Sequence, residues 1–146
     1  MYIVSGCLLG HNCKYNGGNN RNDGVIEFCK SHRYVAVCPE RAANLPCPRP
    51  PAEKVGNRIL SKTGEDVTEA FVRGARISMG MCNEMAKISG EEIEGAILKA
   101  NSPSCGSGKI YDGTFSGVLT EGSGVFASML AAQGIEVITE KEKIKW

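Results

Sequence analysis

Seven cysteines and two histidines are the side chains of this 146-residue sequence best suited to hold a metal or attack a carbon. Position separates the thiols better than spacing does. Cys7 follows the short apolar run Tyr2–Ser5, Cys38 follows the run Arg33–Val37, and Cys105 lies in the loop after the run Ile93–Leu98. Each is followed by residues that shape backbone: Leu8-Leu9-Gly10, Pro39 and Gly106. Glycine at such places lets backbone approach a bound group closely. If the three runs are parallel strands of one sheet, their loops open at one edge, and three sulfurs from distant parts of the chain meet there. Three thiolates suit a [4Fe–4S] cluster with one open iron, whereas zinc more typically recruits a fourth protein ligand or a histidine. No Cys-x2-Cys pair occurs, so the pattern is neither a zinc ribbon nor a bacterial ferredoxin. Topology alone leaves a cluster, a zinc ion and a reactive thiol open, beside the plainer reading of buried cysteine as a small hydrophobe.

The other thiols carry less. Cys29, beside Phe28, and Cys82, beside an apolar helix stripe, read as packing residues. Cys13, six residues after Cys7, and Cys47, nine after Cys38, are possible accessory residues: a spare ligand, a sulfur acceptor, or inert. His11 and His32 read as surface residues. A Ser-His-Asp site has no supporting G-x-S-x-G motif. The stretches Gly106-Ser107-Gly108 and Gly122-Ser123-Gly124 match neither G-x-G-x-x-G nor the P-loop. The second precedes a helix pattern and suits either an anion or ordinary capping.

The elements that must position these residues alternate. Asn16–Gly24 is loop, Val25–Ser31 makes two helical turns, and the four prolines in Asn44–Pro51 make a stiff extended segment. From Asp66 the period becomes helical, with Val67, Ala70, Phe71, Gly74, Ile77, Met81, Met85 and Ile88 forming the expected buried stripe. Asp66 with Glu69 resembles a capping box, and Ser89-Gly90 should end the helix. Tyr111–Thr114 reads as a turn. Ser123 is the expected cap of a helix over Gly124–Ala132, and Ile135–Ile138 is a fourth strand. Strands alternating with helices predict a single α/β domain over 1–146, Rossmann-like, with a mostly parallel sheet flanked by helices. Ligands of such sheets bind beyond the carboxyl ends of the strands.

Composition agrees and sets limits. Hydrophobic residues at 42% and charged residues at 23% describe one ordinary globular domain. Seventeen Lys and Arg against sixteen Asp and Glu give a net charge of +1, which argues against nucleic acid or an acidic membrane surface as partner. Apolar runs fall short of the roughly 20 residues a membrane span needs. Met1–Ser5 has no basic leader, and the odd thiol count does not suggest a disulfide framework. The expectation is a cytoplasmic chain.

Three stretches together resemble the thiouracil desulfurase family. Ser5-Gly6-Cys7-Leu8-Leu9-Gly10 through Gly17 is similar to its opening motif. Val37-Cys38-Pro39-Glu40 with Leu45–Glu53 is similar to the second, and Leu98–Gly106 with Ile110–Phe115 to the third. The chain departs from the family's usual residues at Asn16, at Ala43-Asn44 and at Cys47, changes that bear on substrate more than on cofactor. The resemblance implies a [4Fe–4S] enzyme that replaces the sulfur of a thiolated pyrimidine by oxygen without redox change, on a small thiolated base or nucleoside. It implies Cys7, Cys38 and Cys105 as ligands, the set topology had separated. Within that reading Glu40, tethered to Cys38 through Pro39, is the acid/base candidate. The plainer alternative is a surface carboxylate or a partner of Arg41 or Arg49. Ser102 is the candidate for touching substrate and Ser104 an accessory, against ordinary turn chemistry around Pro103. The alternative of another class is a non-catalytic iron–sulfur, sulfur-carrier or redox-sensing module, which needs the three thiols and no carboxylate.

Overall fold

The computed structural model describes residues 1–146. In chain order the elements are β1 (Tyr2–Ser5), a 3-10 turn (Gly6–Leu9), α1 (Asp23–Lys30), β2 (Tyr34–Val37), α2 (Pro39–Ala42), β3 (Ala52–Val55), β4 (Arg58–Ser61) and α3 (Thr68–Ser89). There follow β5 (Gly95–Leu98), β6 (Lys109–Tyr111), β7 (Leu119–Glu121), α4 (Val125–Ala132) and β8 (Val137–Thr139). Four of the strands form one wholly parallel sheet in the order β2-β1-β5-β8. β1 and β5 are buried along their whole length, which is why Tyr2–Ser5 and Gly95–Leu98 are near-continuous apolar runs rather than alternating ones.

The chain leaves β1 to one side for β2 and returns on the other side for β5. That reversal opens a crevice at the carboxyl ends of β1 and β5, where ligands of open α/β sheets bind. Two layers cover the sheet. Val25 and Phe28 of α1 pack with Tyr2, Val4 and Ile97 on one face. Ala75, Met79 and Cys82 of α3 and Phe126, Ala127 and Leu130 of α4 pack with Ile3, Val35 and Leu98 on the other. No helix is long and apolar enough to cross a membrane.

α3 corrects the expected stripe. Phe71 and Gly74 are buried, but the inner face continues through Ala75, Ser78, Met79 and Cys82. Ile77, Met81, Met85 and Ile88 face solvent, Ile88 at 70% exposure. The reason is close packing against α2. A Cβ on Gly74 would stand 1.9 Å from the Pro39 carbonyl oxygen, so this seam accepts small residues and excludes the large aliphatic ones. The capping box is also absent. Asp66 Oδ1 accepts from the backbone N–H of Thr68 at 3.0 Å and from its hydroxyl, and Asp66 Oδ2 pairs with Arg58. The helix ends at Gly90 with φ 66°, as its sequence predicts.

Two antiparallel hairpins, β3–β4 and β6–β7, stand outside the main sheet and were not evident from the sequence. Their strands are three or four residues long and carry no clean alternation of polar and apolar residues. Gly113 lies against β3, where a Cβ would meet the Val55 side chain at 2.7 Å, so the second hairpin's loop is docked onto the first.

Candidate active site

Each of the three topologically selected thiols is placed by a different local device. Cys7 sits in the 3-10 turn after β1, closed by Gly10 at φ 93°. Cys38 is the residue just before the first turn of α2, with Pro39 at the helix start. Proline there loses nothing, since that N–H has no helical partner. Cys105 lies in the turn after β5, which Asn101 enters at φ 72°. The Ser102 hydroxyl oxygen accepts from the Cys105 N–H at 2.8 Å, and the Ser102 carbonyl accepts from Gly106 N–H at 2.9 Å.

This last turn is also the cap of α4. The carbonyls of Pro103 and Ser104 accept the N–H groups of Val125 and Phe126, each at 2.9 Å, and the Gly106 carbonyl accepts from Gly124 at 2.7 Å. Ser123 therefore does not cap the helix. Its hydroxyl accepts from Gly108 N–H at 3.2 Å, and the helix amides that an anion would need are already bonded. A Cβ on Gly124 would stand 2.4–2.6 Å from the Ser104 carbonyl group and the Cys105 nitrogen. Gly124→Ala is expected to displace the Cys105 turn and to destabilise the protein by about 3 kcal/mol, the upper end for overpacking. Urea unfolding of the two proteins measures it.

Cys7, Cys38 and Cys105 all line one cavity of about 460 Å³, and Glu40, Ser102, Ser104 and Cys13 line it with them. Cys47 does not. It is exposed on the proline-rich segment, and its thiol donates to the Lys14 carbonyl at 3.2 Å. Cys29 and Cys82 pack in the hydrophobic layers. His32 stacks on Phe28 with ring centroids 3.8 Å apart.

Burial pushes the Cys105 thiol up to about 12, against the pull of hydrogen bonds from Ser5 and Ser104. Burial also raises Cys7. Cys38 moves down, because the Cys13 thiol donates a hydrogen bond to its sulfur, and Cys13 moves up as the partner that keeps its proton. Buried thiols of this kind become thiolates only when a cation stabilises them, as a metal does. Three thiols on one cavity wall, each from the end of a different parallel strand, are the donor set that a [4Fe–4S] cluster with one open iron would take.

Glu40 is fixed at both oxygens. Its Oε1 accepts from Arg49 Nε at 3.1 Å, with Arg49 Nη2 ion-paired to the same oxygen at 3.1 Å, and its Oε2 accepts from the Ser104 hydroxyl at 3.0 Å. Arg49 also donates to the carbonyls of Pro46 at 3.2 Å and Cys13 at 3.0 Å. Its side chain is only 7% exposed, and of the two arginines near Glu40 in sequence it is Arg49, not Arg41, that pairs with it. Ser102 and Ser104 hydroxyl oxygens lie 3.3 Å apart. Residues not selected from the sequence complete the walls: Lys99, ion-paired to Glu140 at 2.9 Å, with Glu53, Tyr111 and Phe115. Glu53 and Phe115 fall inside the second and third motifs, which was the available signal for them.

A model of the family described as 2-thiouracil desulfurase matches residues 2–142. An uncharacterized protein of Bacillus subtilis (strain 168), YbbK, is 39% identical over 152 residues, covering 97% of each chain. The solved structure of TudS, described as a [4Fe–4S]-dependent thiouracil desulfidase, superposes with a TM-score of 0.84 at 41% identity, over 96% of this chain and 90% of that one. With the family model matching residues 2–142 and a relative 39% identical over 97% of each chain, the chain belongs to the 2-thiouracil desulfurase family.

Proposed function

We propose that this protein hydrolyses the carbon–sulfur bond of a thiolated pyrimidine such as 2-thiouracil, giving the oxo base and hydrosulfide, with a [4Fe–4S] cluster held by Cys7, Cys38 and Cys105. The observation that carries the reading is the placement of three thiols at the ends of three neighbouring parallel strands, on the wall of a cavity that also holds Glu40. Three ligands leave one iron open, and that iron supplies a soft Lewis acid matched to a thiocarbonyl sulfur. The [4Fe–4S] dependence of TudS supports the same cofactor.

The chain's own residues then have to manage water. Water adds to the thiocarbonyl carbon while one of its protons passes to a Glu40 carboxylate oxygen. A carboxylate has about four lone-pair sites; hydrogen bonds from Arg49 Nε and Ser104 take one on each oxygen, which leaves room for that proton. Glu40 returns that proton to the sulfur, then takes the hydroxyl proton as the carbon–oxygen double bond closes and the carbon–sulfur bond breaks; sulfur leaves as hydrosulfide, and Glu40 releases the last proton to solvent. Ser104 orients Oε2, and Ser102, bonded through its oxygen to the Cys105 N–H, keeps its hydroxyl proton for Ser104 or for substrate.

The test is anaerobic preparation with iron and sulfide quantified, then incubation with 2-thiouracil. The expected result is about four irons per chain, as a [4Fe–4S] protein requires, with release of uracil and sulfide. Cluster without turnover favours the sulfur-carrier or sensing reading; zinc in a colourless protein overturns both. Arg49 acts here as a positioning residue. Arg49→Gln is expected to lower kcat roughly 10- to 100-fold through misplacement of Glu40, with KM and iron content unchanged. Arg49→Lys should recover only part of this, since an ammonium cannot reproduce the planar fork.

A further inference from the structure

The cavity holds a second carboxylate, on a different element from Glu40. Glu53, on β3, is only 8% exposed and lines the cavity. Its Oε1 accepts two backbone N–H groups of the β6–β7 loop, Gly113 at 3.0 Å and Phe115 at 3.1 Å. Its Oε2 has no hydrogen-bond partner, and no cation pairs with the group; the cavity's arginine is committed to Glu40. Oε2 of Glu53 is open to the cavity, so a ligand that displaces its water must bring a donor or leave a carboxylate oxygen unpaired.

The loop that Glu53 holds is itself unusual. Phe115 has φ 56°, a left-handed conformation that a bulky side chain rarely adopts. Such conformations persist only where the surroundings enforce them, and they gather at ligand clamps. Here the enforcement comes from Glu53 Oε1 on the Phe115 N–H, and from the Asp112 turn, in which Asp112 Oδ1 accepts from Thr114 N–H at 3.0 Å. Phe115 lines the same cavity as Glu53. An unpartnered acceptor and an aromatic ring held at a conformational cost thus share one wall, joined by one hydrogen bond.

We propose that Glu53 and Phe115 form the subsite that recognises the heterocycle: Oε2 accepts a ring N–H, and the phenyl ring packs on the ring face. The identity of the ligand as a thiolated pyrimidine rests on the desulfurase reading. The subsite selects rings that carry N–H and rejects those that present a lone pair or a methyl group there. It also favours the thione over the thiol tautomer, because the proton on ring nitrogen is what leaves the sulfur as a thiocarbonyl and the carbon electrophilic.

The experiment is calorimetric binding of uracil and of 1,3-dimethyluracil to the anaerobic holoenzyme and to its Glu53→Gln variant. In the variant, the side-chain oxygen can keep both loop N–H groups while the amide NH2 replaces Oε2, so a donor faces a donor. The wild type is expected to prefer uracil by roughly 10- to 100-fold, the worth of a hydrogen bond to a charged group. The variant should lose that preference while iron content, visible spectrum and Tm stay as in the wild type. A preference that persists in the variant is steric and overturns the proposal, as does a wild type that does not bind uracil. Should the variant fail to fold, a crystal structure of the wild-type holoenzyme with uracil decides: a ring nitrogen within 3.2 Å of Oε2 upholds the subsite, and any other pose overturns it. Sulfide release from 2-thiouracil is measured separately. Its absence, with uracil still on Glu53, removes the activity and leaves the subsite; its presence, with no Glu53 effect, does the reverse.

Discussion

Alanine in place of any one of Cys7, Cys38 or Cys105 is expected to abolish stable cluster binding, read as loss of iron, sulfide and visible absorbance in anaerobically prepared protein. The three sulfurs come from the turns after β1, β2 and β5, so no neighbouring thiol on the same turn can replace a deleted one. Two remaining thiolates leave two irons without protein anchors. Cys29→Ala and Cys82→Ala should keep full iron content, because both side chains pack in the hydrophobic layers. Cys82→Ala carries a packing penalty of about 1 kcal/mol and no loss of colour. Cys13→Ala and Cys47→Ala are likewise expected to retain iron. Cys13 is the sharper of these two controls, since its thiol bonds the Cys38 sulfur and lines the same cavity. A Cys105→Ala protein that keeps its full iron content would show the ligand assignment to be wrong.

Glu40→Gln should separate binding from turnover. Glutamine keeps the size of the side chain and can accept from Arg49 with its oxygen, while Ser104 Oγ can accept from its NH2. What it cannot do is take a proton from water and return it. Iron content and affinity for uracil should therefore match the wild type, and kcat for 2-thiouracil should fall by roughly 10²–10⁴-fold, the usual worth of a positioned general acid/base. A variant that loses iron would make Glu40 a structural partner of Arg49. A variant at near wild-type rate would move the proton to another group, with Ser102 next because its hydroxyl lies beside Ser104.

The sulfur positions were legible because the rule behind them is topological. Parallel strands put their following loops on one edge, so Cys7, Cys38 and Cys105 could be grouped with no knowledge of distance. The face of α3 was not legible. Its 3.6-residue period was plain and Phe71 and Gly74 lie on the expected face, but beyond them Ile77, Met81, Met85 and Ile88 are more hydrophobic than Ala75 and Ser78, and hydrophobicity pointed to the wrong side. The approach of α2 to within a carbonyl oxygen of Gly74 decided the matter, and that is a packing constraint between residues 35 positions apart. The α4 cap failed for a similar reason. Ser123 was the local candidate, but carbonyls of the Cys105 turn, some twenty residues earlier in sequence, had taken its place. Arg49 was legible only as one of two possible partners for Glu40, since the turn of the chain between them had to be known to choose.

The two hairpins give the molecule a division that bears on its descent. The sulfurs are carried by turns that follow the main sheet, whereas Glu53, Tyr111 and Phe115 belong to β3, to β6 and to the loop after it; none is a strand of that sheet, and β6 touches it only through a bridge from Ile110 to Asn101. A mutation in β3 or in the loop after β6 can reshape what the cavity holds while β1, β2 and β5 keep their register. Substitutions on that outer wall therefore disturb the sheet less than substitutions at the strand ends, so the cavity's shape can change with the fold intact.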